Sequence, residues 1–163
     1  MPESKSANVV RAIAVVGPTG AGKTALIQAL ASAASGGAGI SPAAAGQSTE
    51  TNFTAIDFMG DHYALIDAPG AVDFLADADF ALPAVDLAIV VADPDPEKAV
   101  LVQPFLKALE DLQIPRAIFI NKIDTARGRV RDLLEALQPV SNTTLVGRQI
   151  PIWEDEKVTG FVD

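Results

Sequence analysis

Gly17-Pro18-Thr19-Gly20-Ala21-Gly22-Lys23-Thr24 satisfies every fixed position of G-x-x-x-x-G-K-[ST], and its flanks are the ones the motif's physics requires. Ahead of it, Ala12-Ile13-Ala14-Val15-Val16 is an unbroken apolar run, the pattern of a strand buried on both faces; behind it, Ala25-Leu26-Ile27-Gln28-Ala29-Leu30 reads as helix. In a strand, glycine loop and helix so ordered, backbone N–H groups turn inward to cradle phosphate oxygens. Lys23 is expected to reach the outer phosphates, and the Thr24 hydroxyl to hold Mg²⁺ beside the positive helix end. The fold expected from this stretch is an α/β P-loop domain with a mostly parallel sheet and helices on both faces.

Outward from the loop, the chain alternates strand and helix signals. The strand runs from about Val9 to Val16 and the helix from Lys23 to Ala34, ending at Gly36-Gly37. Residues 35–51 are mostly Gly, Ala, Ser, Pro and Thr with almost no periodicity, the composition of a long loop. Asn52–Phe58 and His62–Ile66 flank Met59-Gly60-Asp61 and predict a β-hairpin, the one antiparallel element. The second hairpin strand runs into Asp67-Ala68-Pro69-Gly70, where an acidic residue at a strand's carboxyl end can complete a Mg²⁺ shell and a glycine N–H can meet the terminal phosphate. Residues 71–82 are compatible with helix.

Val85–Ala92 is the next buried strand, closed by Asp93-Pro94-Asp95-Pro96. Glu97–Leu112 has amphipathic helical spacing, with Pro104 kinking or splitting it. Arg116–Ile120 is a further strand, and Asn121-Lys122-Ile123-Asp124 stands at its carboxyl end, where open α/β sheets place ligand contacts. The Asp124 carboxylate can accept two parallel hydrogen bonds from guanine, a pairing adenine cannot supply, while Asn121 and Lys122 brace the loop and cover the base. Ala126–Leu137 reads as helix and Thr144–Trp153 as strand. His62, the only histidine, sits at the hairpin mouth with no second His or Cys, so a metal role is not expected.

The 163 residues carry 12 Lys plus Arg against 21 Asp plus Glu, and a net charge of −9 argues against direct nucleic-acid binding by this domain. Without cysteine there is no disulfide or thiolate site, and the cytoplasm is the default compartment. No 18-residue apolar stretch is present to span a bilayer, so no membrane partner is expected.

With the three motifs in this order, the chain resembles the GTPases of the translation-factor class, in particular the N-terminal G domain of elongation factor G and its bacterial elongation factor G-like relatives. Asp67-Ala68-Pro69-Gly70-Ala71-Val72-Asp73-Phe74 is similar to that family's D-T-P-G-H-V-D-F, and Ile114-Pro115-Arg116 with Phe119-Ile120-Asn121-Lys122-Ile123-Asp124 to its G-[VI]-P-R-x-x-F-x-N-K-x-D. Gln149–Ile152 with Thr159–Asp163 resembles the opening of an inserted subdomain, so residues 144–163 are assigned to it within a G domain of 1–163.

The resemblance implies GTP and GDP as ligands with Mg²⁺, and a slow GTP hydrolysis. Lys23 and Gly70 would be catalytic, Thr24, Asp67 and Ser48 would serve the metal, and the ribosome would be a partner. Ser48 stands near the family's switch threonine, with Thr49 and Thr51 as competitors. Ala71 replaces the family's water-orienting histidine, and a methyl can neither hydrogen-bond water nor shuttle a proton. The family's last guanine-contacting loop, closing strand and helix, and later domains would lie beyond Asp163, which makes the chain a fragment or a minimal relative. Two alternatives stay open: a nucleotide-operated binding module with little hydrolysis, and an ATP-using P-loop enzyme.

Overall fold

The computed structural model describes residues 10–36, 52–68, 85–126, 129–154 and 157–163. Five strands form one sheet: β1 (Val10–Val16), β2 (Asn52–Phe58), β3 (Asp61–Asp67), β4 (Leu87–Ala92) and β5 (Arg116–Ile120), in the order β2-β3-β1-β4-β5. β3, β1, β4 and β5 run parallel, and only β2 is antiparallel. The hairpin turn is Met59-Gly60, both at positive φ as a two-residue turn matched to strand twist requires. Asp86 sets the β1–β4 register: its carboxylate accepts from Ala12 N–H at 2.7 Å, and its own N–H donates to the Ala12 carbonyl at 2.8 Å.

Each sheet face carries its own core. Helix α1 (Lys23–Ala34) lays Ile27 against Val15, Leu65 and Val91, with Leu26 and Leu30 packed beside it and the loop residue Ala21 buried in the same cluster. On the other face α2 (Gln103–Asp111) and α3 (Val130–Leu137) bring Phe105, Leu106, Leu109, Leu133 and Leu137 against Ala14, Ala88 and Val90. The small strand residues on that face let the helices approach closely, and burying each Leu or Phe contributes roughly 1.5–3 kcal/mol. α1 ends at Ser35 and Gly36, whose φ of 68° is the left-handed stop favoured by glycine.

Several boundaries differ from those expected. The 97–112 region is split: a 3-10 segment, Pro96–Val102, precedes α2, and Pro104 sits in the first turn of α2, where its missing N–H has no intrahelical acceptor to lose. α3 begins at Val130 instead of Ala126, because Ile123–Thr125 forms a 3-10 turn and Ala126 is extended. The strand expected over Thr144–Trp153 is confined to β6 (Ile150–Glu154), which pairs antiparallel with β7 (Lys157–Val162) as a separate two-stranded sheet. Trp153 and Phe161 there are 38% and 62% exposed. His62 pairs with the Asp57 carboxylate across the β2–β3 hairpin, a surface role.

Candidate functional site

The carboxyl ends of β1, β3, β4 and β5 meet at one edge of the sheet, and loop 17–22 lies across it. This is the switch point of the sheet, since the strands that follow β1 in the chain lie on both of its sides, β3 on one and β4 on the other. Gly17 leaves β1 at φ 137°, and a Cβ there would collide with the Val91 carbonyl oxygen of the neighbouring strand. Gly22, at φ 94° the N-cap of α1, faces the Asn121 amide so closely that a Cβ would displace it. The glycines thus serve tight contact as well as backbone freedom.

Four loop carbonyls are taken by side chains. The Lys23 Nζ donates to the Gly17 and Pro18 carbonyls at 3.0 and 3.2 Å, Lys122 Nζ donates to Gly20 at 2.6 Å, and Asn121 Nδ2 donates to Ala21 at 2.8 Å. Meanwhile α1 begins with no side-chain cap and no acidic residue in its first turn. Its first N–H groups have no acceptor within the helix, so satisfied carbonyls and free amides give this corner the polarity of an anion site.

Lys23 is turned onto its own loop here. It is 7% exposed, and burial lowers its pKa, with the nearby Asp67 charge opposing that shift in part. Asp67, at the end of β3, is 3% exposed. Its Oδ2 accepts from the Thr24 hydroxyl at 2.6 Å, while its Oδ1 is buried with no hydrogen-bond partner. A buried carboxylate oxygen left unsatisfied costs one to several kcal/mol, so a native site that keeps one calls for a ligand there. Oxygen donors from a hydroxyl and a carboxylate suit Mg²⁺. These residues therefore fit the metal the motif implies.

On the other side, Asn121 and Lys122 reach the phosphate loop as described. Lys122 is held at φ 54°, its carbonyl accepting from the Thr125 N–H and hydroxyl, both at 2.8 Å. Asp124 lies exposed in the following 3-10 turn, its carboxylate without a partner among the described residues. The structure thus brings together Gly17 to Thr24, Asp67, Asn121 and Lys122, with Asp124 beside them in sequence and free to meet a base. Ser48, Gly70 and Ala71 lie outside the described residues. Asp93, at the end of β4, reads in the sequence only as part of a strand-closing turn, although an acid at a strand's carboxyl end is the available signal; it lies 3.7 Å from the Lys122 ammonium.

The sequence profile of the elongation factor Tu GTP binding domain matches residues 8–156. An elongation factor G-like protein of Synechocystis sp. is 31% identical over 94% of this chain and 25% of its own length. Elongation factor G of Rhodopirellula baltica is 32% identical over 68% of this chain and 16% of its own. A crystal structure of a Thermus thermophilus protein superimposes with a TM-score of 0.79 at 27% identity, over 96% of this chain and 26% of that one. The chain therefore spans about a quarter of the first of these relatives. Among the described residues, no helix is long and apolar enough to cross a membrane.

Proposed function

The chain belongs to the elongation factor Tu GTP binding domain family and is a GTP-binding domain related to elongation factor G; from that premise we propose that it hydrolyses GTP in a Mg²⁺-dependent reaction, slowly when alone. The observation that carries this reading is the orphaned, buried Asp67 Oδ1 beside the Thr24 hydroxyl at an uncapped helix start.

Thr24 and Asp67, together with Ser48, would hold Mg²⁺, which when bound neutralises charge on the phosphates. The amides of Gly20, Gly22, Lys23 and Thr24 bind phosphate oxygens, while the Ala21 N–H donates to the Pro18 carbonyl at 3.2 Å. Lys23 moves its ammonium from the Gly17 and Pro18 carbonyls to those oxygens, where the anion offsets the burial that lowers its pKa. Gly70 N–H responds to the γ-phosphate and so distinguishes GTP from GDP. Asp124 selects guanine, because adenine would leave its carboxylate facing an acceptor nitrogen. Asn121 and Lys122 keep the base loop and the phosphate loop in one arrangement.

Ala71 supports a turnover slower than the resembled family's, because no side chain at that position can orient water. A ribosomal partner goes with the reading through the relation to elongation factor G. Titration of the purified chain with fluorescent GDP, GTP and ATP, with Mg²⁺ and with chelator, tests it. We expect Mg²⁺-dependent binding of GTP and GDP at least about 100-fold tighter than ATP, the discrimination a polar pocket gives between hydrogen-bonding patterns. Equal affinity for GTP and ATP would overturn it.

A further inference from the structure

Asp93 follows the last residue of β4, between the base loop and the segment that leads into α2. Its carboxylate is four-fifths buried, and one oxygen, Oδ2, faces two ammonium groups: Lys98 Nζ at 3.2 Å and Lys122 Nζ at 3.7 Å. Lys98 also lies 4.0 Å from Asp95, which caps the same 3-10 segment by accepting the Glu97 N–H at 3.0 Å. One side of the carboxylate is thus tied to a fixed element. The other side meets the lysine that donates to the Gly20 carbonyl at 2.6 Å.

Lys122 occupies left-handed backbone, uncommon for a residue with a Cβ, and its stem must cross from the β5 loop to the phosphate loop. A long, half-exposed lysine loses considerable rotamer freedom in holding that crossing. A fixed carboxylate on the far side of the ammonium restricts the choice of rotamers before any ligand arrives. We propose that Asp93 is a positioning residue that holds Lys122 across the phosphate loop and thereby slows release of the bound guanine nucleotide. This rests on the guanine-nucleotide reading above. Among the described residues the ion pairs of Asp93 are with Lys98 and Lys122, and it acts through Lys122.

The test is the dissociation rate of a fluorescent GDP from the native chain, Asp93→Asn, Lys122→Met and the double variant. A partly exposed ion pair contributes about 0.2–1 kcal/mol, so Asp93→Asn should speed release by roughly 1.4-fold to fivefold. In the Lys122→Met background the same substitution should change nothing, because the group through which it acts is gone. If Lys122→Met binds too weakly for the cycle, the side-chain ammonium resonance of Lys122 in the nucleotide-free native chain is read instead, and it should shift on Asp93→Asn. Release at the native rate from Asp93→Asn, equal acceleration in both backgrounds, or an unmoved Lys122 resonance overturns the inference and leaves the function standing. Failure of the native chain to bind guanine nucleotide overturns both.

Discussion

At the phosphate end of the site Lys23 and Asp67 are buried and Thr24 is half-buried, and each is held by the loop or by its neighbour. At the base end Lys122 and Asp124 are exposed, and the nearby β6–β7 sheet packs on the 3-10 turn at Ile123–Thr125 while leaving Trp153 and Phe161 to solvent. The first region is preorganised and carries an unsatisfied buried oxygen, so it gains most from a ligand. In the second, Asn121 and Lys122 are already tied to the phosphate loop and the Asp124 carboxylate alone waits for the base. Affinity is expected to reside at the buried end, and the choice of base at the exposed one.

The largest break in that contrast should come from Lys23→Ala. Losing a charge-assisted contact to phosphate at several oxygens should weaken guanine-nucleotide binding on the order of 10³-fold. The fold should persist, because Lys23 bonds only its own loop carbonyls, and circular dichroism with nucleotide titration on one sample checks both. Unchanged affinity would place the binding energy elsewhere.

Next in size is Ala71→His, which sharpens the phosphate end from its chemical side. A water-positioning group acts only in the transition state, so single-turnover hydrolysis should rise roughly 10²-fold or more while GDP and GTP affinities stay level. Equal rates in native and variant chains would mean that another group already positions water.

Asp124→Asn should lower guanine affinity by about 10- to 100-fold and shift preference toward xanthine nucleotides, whose extra carbonyl accepts where guanine's amine donates. Its thermal unfolding without ligand should match the native chain, because the Asp124 carboxylate is exposed and without a described partner. A drop in unliganded stability would make Asp124 a structural residue and erase the contrast.

The smallest effect concerns Lys23 in the absence of nucleotide. Its folded pKa lies below the usual 10.5, so between those two values the unfolded chain holds more protons and stability rises with pH. Below that window the cost of burying the charge is present in full. Urea unfolding across the alkaline range should show this rise in the native chain and not in Lys23→Met, and saturating GDP should flatten it by favouring the ammonium.

Much of the fold was legible because its signals are local. The apolar run 12–16 fits an interior strand, which is where β1 lies, and Met59-Gly60 can close only a tight hairpin. The phosphate loop was legible for the same reason: glycine, lysine and threonine at fixed offsets act through backbone and side chains of one continuous stretch. The end of the chain was less so. Thr144–Trp153 carries a strand's composition, yet residues 144–149 stay irregular, with the Leu145 N–H held by the Gln138 side chain at 2.9 Å.

What the sequence determined by itself was the order of the motifs and the identity of the groups that can meet phosphate, metal and guanine. Tertiary structure alone decided their partnerships: that Asp67 would be buried with one oxygen satisfied by Thr24 and the other bare, and that Asn121 and Lys122 would reach a loop a hundred residues away. Only the packed structure could join Asp93 to Lys122. The reason is physical: desolvation and pairing depend on what a parallel sheet lays side by side, and strand order across β3-β1-β4-β5 is a property of the assembled core that no single stretch of chain encodes.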